Sequence, residues 1–122
     1  MTLLRLLALI TVVLAISACA GQRPMATAAK LSVPQTEAGC AARGGNWRTL
    51  GLAYPGKPKV CDLKTTDSGK VCSDSNQCQG SCVAPAGAAS GIKTVGSCSA
   101  YVANFGNIGL VEHGKVELLN VE

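Results

Sequence analysis

Apolar residues are unevenly spread along this chain: residues 6–16 (LLALITVVLAI) form a nearly unbroken apolar run, and no later segment matches it. Its 11 residues fall well short of the roughly 20 that an ordinary transmembrane helix needs. A short start bearing Arg5 precedes the run and small residues follow it, the layout of a cleaved export signal. Residues 20–36 (AGQRPMATAAKLSVPQT) keep no apolar period and are rich in Ala, Pro, Thr and Ser, so they read as a flexible tether. The expected organisation is a signal peptide over 1–18, a tether over 19–36 and a cysteine-rich domain over 37–122.

Within that domain the pattern predicts short elements. Residues 37–43 form a helical turn ended by Gly44-Gly45, since glycine tolerates the positive φ of a helix C-terminus. Strands are expected over 47–52 and 59–63, separated by the turn Tyr54-Pro55-Gly56, and residues 84–91 (APAGAASG) form a loop. The clearest signal is His113-Gly114 between 108–112 and 115–121, a two-residue turn that closes a β-hairpin. Such a turn sets Glu112 opposite Lys115, Val111 opposite Val116, Gly109 opposite Leu118 and Asn107 opposite Asn120. The fold class is small and disulfide-rich, mainly β with short helical turns and a C-terminal β-hairpin.

Composition explains why disulfides are needed. Only four aromatic residues, Trp47, Tyr54, Tyr101 and Phe105, are available to a core, whereas the chain holds seven cysteines. A short exported chain with that density implies a disulfide framework made in an oxidising compartment. The odd cysteine has its own reading, because Ile16-Ser17-Ala18-Cys19 resembles the lipobox of bacterial lipoproteins. The resemblance implies cleavage before Cys19, diacylglycerol on its thiol and acylation of the new amino group, and two or more chains make a stable anchor where one holds only marginally. Ala20 after the cysteine resembles the sorting signal of Gram-negative outer-membrane lipoproteins, which implies the inner leaflet of that membrane, facing the periplasm.

Removing Cys19 leaves six cysteines for three disulfides. Six allow 15 connectivities, among which the sequence does not decide; Cys40–Cys61, Cys72–Cys82 and Cys78–Cys98 is the working assignment. Taken together, Cys40-Ala-Ala-Arg-Gly-Gly-Asn-Trp47, Asp67-Ser-Gly-Lys-Val-Cys72, Asp74-Ser-Asn-Gln-Cys78-Gln-Gly-Ser-Cys82 and Gly96-Ser-Cys98 resemble small secreted cysteine-rich proteins of proteobacteria. The resemblance runs from about Cys40 to the end and brings no activity with it. That group often carries cysteines where this chain has Asn107 and Asn120, which implies a fourth bridge lost from the hairpin.

The remaining chemistry is sparse. Setting aside Arg5, side chains give the exported part about +3, scattered without an aromatic-interleaved basic patch, so no nucleic-acid partner is expected. Cys72-x5-Cys78-x3-Cys82 lacks paired C-x2-C knuckles and the one histidine sits in a turn, so no metal or other cofactor is expected. Asp62, Asp67 and Asp74 are not spaced as a calcium loop and suit turns and caps. His113 has no evident carboxylate or nucleophile partner, and no reactive C-x-x-C is present, so no catalytic residue is assigned. Trp47 is expected in the core, packed on a disulfide. The candidate interaction loop lies over 50–58 and its border, carrying Tyr54, Lys57 and Lys59. These features predict a membrane-anchored envelope lipoprotein with a non-catalytic structural or protein-interaction role, partnered by an envelope protein or the cell wall. An inhibitor of a periplasmic hydrolase is the alternative, and an enzyme is the least favoured class.

Overall fold

The computed structural model describes residues 26–121, so the signal, Cys19 and residues 19–25 of the tether lie outside the described residues. The first helix, α1 (Glu37–Ala42), begins where the Thr36 hydroxyl accepts the Gly39 N–H at 3.1 Å, an N-cap that satisfies one of the helix's free donors. Gly44, at φ +67°, turns the chain out of it. Two short antiparallel strands follow, β1 (Asn46–Arg48) and β2 (Val60–Asp62), with Trp47 opposite Cys61. They are shorter than the expected 47–52 and 59–63, because Gly51 takes a positive φ and Pro58 has no N–H to offer a ladder. Residues 49–59 therefore leave as a loop.

The second sheet contains β3 (Val71–Cys72), β4 (Cys82–Val83), β5 (Gly96–Cys98), β6 (Gly106–Glu112) and β7 (Lys115–Val121). Its order is β3-β5-β4-β6-β7 and every neighbouring pair is antiparallel. The hairpin has the register read from its turn: Glu112 faces Lys115, Val111 faces Val116, Gly109 faces Leu118 and Asn107 faces Asn120. His113 at φ 52° and Gly114 at φ 77° supply the two positive angles of a type I′ turn, whose twist matches that of the strands.

Cysteine is the main building material of the interior. Among the described residues, six of the nine buried hydrophobic ones are cysteines, joined by Leu63, Val111 and Val116. Eight of them form two clusters. Cys40, Cys61 and Leu63 gather Leu31, Val33, Trp47 and Val102, while Cys72, Cys78, Cys82, Cys98 and Val111 gather Ala84. The bridges are Cys40–Cys61, Cys72–Cys82 and Cys78–Cys98, with Cα separations of 5.5, 5.9 and 5.4 Å. Trp47 packs half-buried against the first cluster, on the Cys40–Cys61 side of the molecule. Gly45 is needed there, since a Cβ would stand 2.7 Å from Cys61 Sγ, 2.8 Å from Cys40 Sγ and 2.9 Å from Leu63 Cδ2. The clusters are joined where Thr65 N–H donates to Ala100 O and Val102 N–H to Leu63 O, at 3.0 and 2.9 Å.

The expected tether over 19–36 needs correction at its described end. Ala28 N–H donates to Asn76 O at 2.9 Å, and Leu31 and Val33 pack on the first cluster. Lys30 Nζ donates to the carbonyls of Ser75, Cys78 and Gly80 at 2.7, 2.9 and 2.5 Å. Apolar residues at 31 and 33, with one lysine to fill a ring of turn carbonyls, suffice to lay this Ala- and Pro-rich stretch against the domain.

Asp74 ties the 3-10 turn Ser75–Gln77 to the hairpin. Its Oδ1 accepts Asn76 N–H at 3.0 Å and its Oδ2 accepts His113 N–H at 2.9 Å. These backbone hydrogen bonds, with smaller contributions from the charges of His113 and Lys30, hold its carboxyl below the ordinary aspartate value of 3.8. A carboxyl with a depressed folded pKa contributes stability above its unfolded value and loses it as pH falls through the folded one. Asp74→Asn is therefore expected to be less stable than the native chain at neutral pH. The two should converge as pH drops below about 4. Thermal unfolding measured across that range checks this, and parallel curves would contradict it.

Candidate functional site

The loop over 49–59 is closed at its base by the β1–β2 pairing and by the Cys40–Cys61 bridge behind it. Its tip is exposed: Leu52 keeps 76% of its surface and Tyr54 60%. Lys57 braces it from within, as Nζ donates to Leu52 O at 2.8 Å and stands 5.3 Å from the centre of the Tyr54 ring, a cation–π distance. Lys59 is exposed. The structure thus brings Tyr54 and Lys57 together and leaves Lys59 free in solvent at the strand edge.

Two residues extend this surface that the sequence reading did not place there. Phe105, 45% exposed, lines a shallow hollow of about 270 Å³ with Leu50, Tyr54, Lys57, Pro58 and Val60. Arg48 stands 6.0 Å from the Phe105 ring centre and pairs with the buried Asp62 at 2.7 Å. The signal available was weak: an aromatic directly before Gly106, which takes φ +86° as β6 begins. Chemically the hollow offers aromatic faces, aliphatic carbons and one lysine, Lys57, a set suited to binding.

The other candidates are engaged elsewhere. His113 does have a carboxylate neighbour, contrary to expectation, because the hairpin turn folds over the 3-10 turn and sets Nε2 4.0 Å from Asp74 Oδ2. Its side chain is 92% exposed and the carboxylate oxygen is shared with the His113 backbone, so the contact is a turn brace. Asp62, Asp67 and Asp74 stand apart: Asp62 holds Arg48, Asp67 Oδ2 accepts Gln79 N–H at 2.8 Å, and Asp74 caps its turn. The sulfurs of Cys72, Cys78 and Cys98 lie within 4.8 Å of one another because two disulfides run side by side. Bonded sulfurs carry no thiolate for a soft cation.

A larger groove of about 880 Å³ opens where residues 84–89 swing away from β6, above Asn107, Gly109, Leu118 and Asn120. Its walls hold no titratable side chain. No protein-family model matches this chain, and neither a curated protein nor a solved structure matches it.

Proposed function

We propose that the chain is an envelope lipoprotein, anchored by lipid on Cys19 to the periplasmic face of the outer membrane, and that its domain works by binding. The observation that carries this reading is the cysteine accounting. All six cysteines of residues 40–98 are bonded to one another, which leaves Cys19 as the odd thiol in a lipobox-like setting. A binding role is supported by the loop over 49–59, whose aromatic and cationic tip is held on a disulfide-stapled base, so little conformational freedom is lost on contact. The role is structural or protein-interacting, and the partner is an envelope protein or the cell wall.

The same stapled loop favours a second reading, inhibition of a periplasmic hydrolase, since inhibitors present rigid exposed loops. The two readings separate on stoichiometric binding to a single hydrolase as against co-purification with envelope fragments. The anchor is tested by fractionating cells that express the native chain or Cys19→Ser. The native chain should sediment with membranes and the variant should lack attached acyl chains. Acyl chains on the variant, or a native chain that never reaches the envelope, would contradict the anchor.

A further inference from the structure

We infer that the loop over 49–59 and Phe105 form a second membrane contact, one that takes an anionic bilayer surface. The inference deepens the proposed function and rests on it for the tether alone. Four large apolar side chains, Leu52, Tyr54, Val60 and Phe105, are between 40% and 76% exposed in this one region. Lys57 and Lys59 stand among them, and neither pairs with a carboxylate among the described residues. Asp62, three residues along from Lys59, is buried and taken by Arg48. Exposed apolar tips beside the exposed Lys59 match the chemistry of an anionic headgroup layer over acyl chains: the rings and Leu52 enter the interface while the Lys59 ammonium meets phosphate and Lys57 holds the loop in shape.

The tether brings this surface within reach. Because residues 28–33 lie on the domain, no more than the nine residues 19–27 separate the lipid from the docked segment, a length of at most about 30 Å. A domain of this size has a radius of gyration near 13 Å. A lipid-anchored domain therefore stays beside the bilayer. An acidic protein would also suit the cations, but the short reach of the tether keeps a bilayer beside this surface.

The test uses the exported chain without lipid, residues 20–122, since both clusters and all three disulfides lie within 28–121. Co-sedimentation is measured with phosphatidylglycerol/phosphatidylethanolamine vesicles and with phosphatidylcholine vesicles. Binding to the anionic vesicles alone, weakened by salt, is expected. Lys59→Glu, at an exposed residue, should lower the partition coefficient by roughly tenfold, and Leu52→Ala with Tyr54→Ala should lower it further while disulfide mass and circular dichroism stay native. A Tyr54→Trp reporter should shift its emission to the blue on binding. Absence of vesicle binding at low salt, binding untouched by the loop variants, or loop-dependent capture of an acidic protein without vesicle binding would each overturn the inference. Lipidation does not enter this assay, so a failed anchor at Cys19 and a failed loop contact give separate results.

Discussion

Replacing Cys78 and Cys98 together by alanine is expected to leave the domain largely unfolded at 37 °C. The bridge closes a loop of about 20 residues, and a cross-link of that span restricts the unfolded chain by about 3 kcal/mol. Its sulfurs are also core atoms, buried in the cluster with Cys72, Cys82 and Val111. For a small domain, whose single core rarely supplies more than about 3–5 kcal/mol, that loss consumes most of the margin. Thermal melting should fall by roughly 10–20 °C or lose its cooperative transition altogether. Cys40→Ala with Cys61→Ala should act likewise on the other cluster. A double variant that melts within a few degrees of the native chain would show that the β-sheet, and not the sulfur, carries the stability.

The second large effect runs the other way. Asn107→Cys with Asn120→Cys is expected to form a fourth disulfide without a catalyst and to raise stability, because the hairpin register sets these residues opposite each other. Val116 directs its N–H and C=O away from β6, to Ile92 O and Gly91 N–H, so residues 118 and 120 on the same alternation are also non-hydrogen-bonded partners of β6. Such pairs have Cα atoms near 4.5 Å apart, inside the range a disulfide spans. The loop closed is about 14 residues, for which chain entropy predicts a gain of at most about 3 kcal/mol. The realised gain should be smaller, since the turn already constrains this hairpin. Unfolding in urea under oxidising and reducing conditions checks it. An oxidised variant with free thiols at both positions would contradict the register.

How far the fold could be read from the sequence follows from how local each signal is. The hairpin was legible because His113-Gly114 sets both turn angles and counting outward then sets every pair. Helix α1 was legible from Gly44-Gly45, which act within one turn, while the Thr36 cap that starts it was not read. By contrast, spacing along the chain says nothing about which strands become neighbours. The insertion of β5 between β3 and β4 brings Cys98 beside Cys82 and within reach of Cys78, and this is set by long-range closure. The docking of residues 28–33 escaped the reading because Lys30 is answered by carbonyls some 45–50 positions away. Within the candidate site, Tyr54 and Lys57 were visible through their turn, while Arg48 and Phe105 were not. Their meeting depends on residues 99–103 running along residues 63–65, a pairing without a turn to announce it.

The most direct test of an exported, lipid-anchored disulfide domain is the intact mass of the protein extracted from envelope membranes without reduction. The account predicts a chain beginning at Cys19, heavier by two or three acyl chains with their glyceryl link, and lighter by the six hydrogens of three disulfides. A mature chain with an unmodified Cys19, or one retaining free thiols among the other six cysteines, would contradict it.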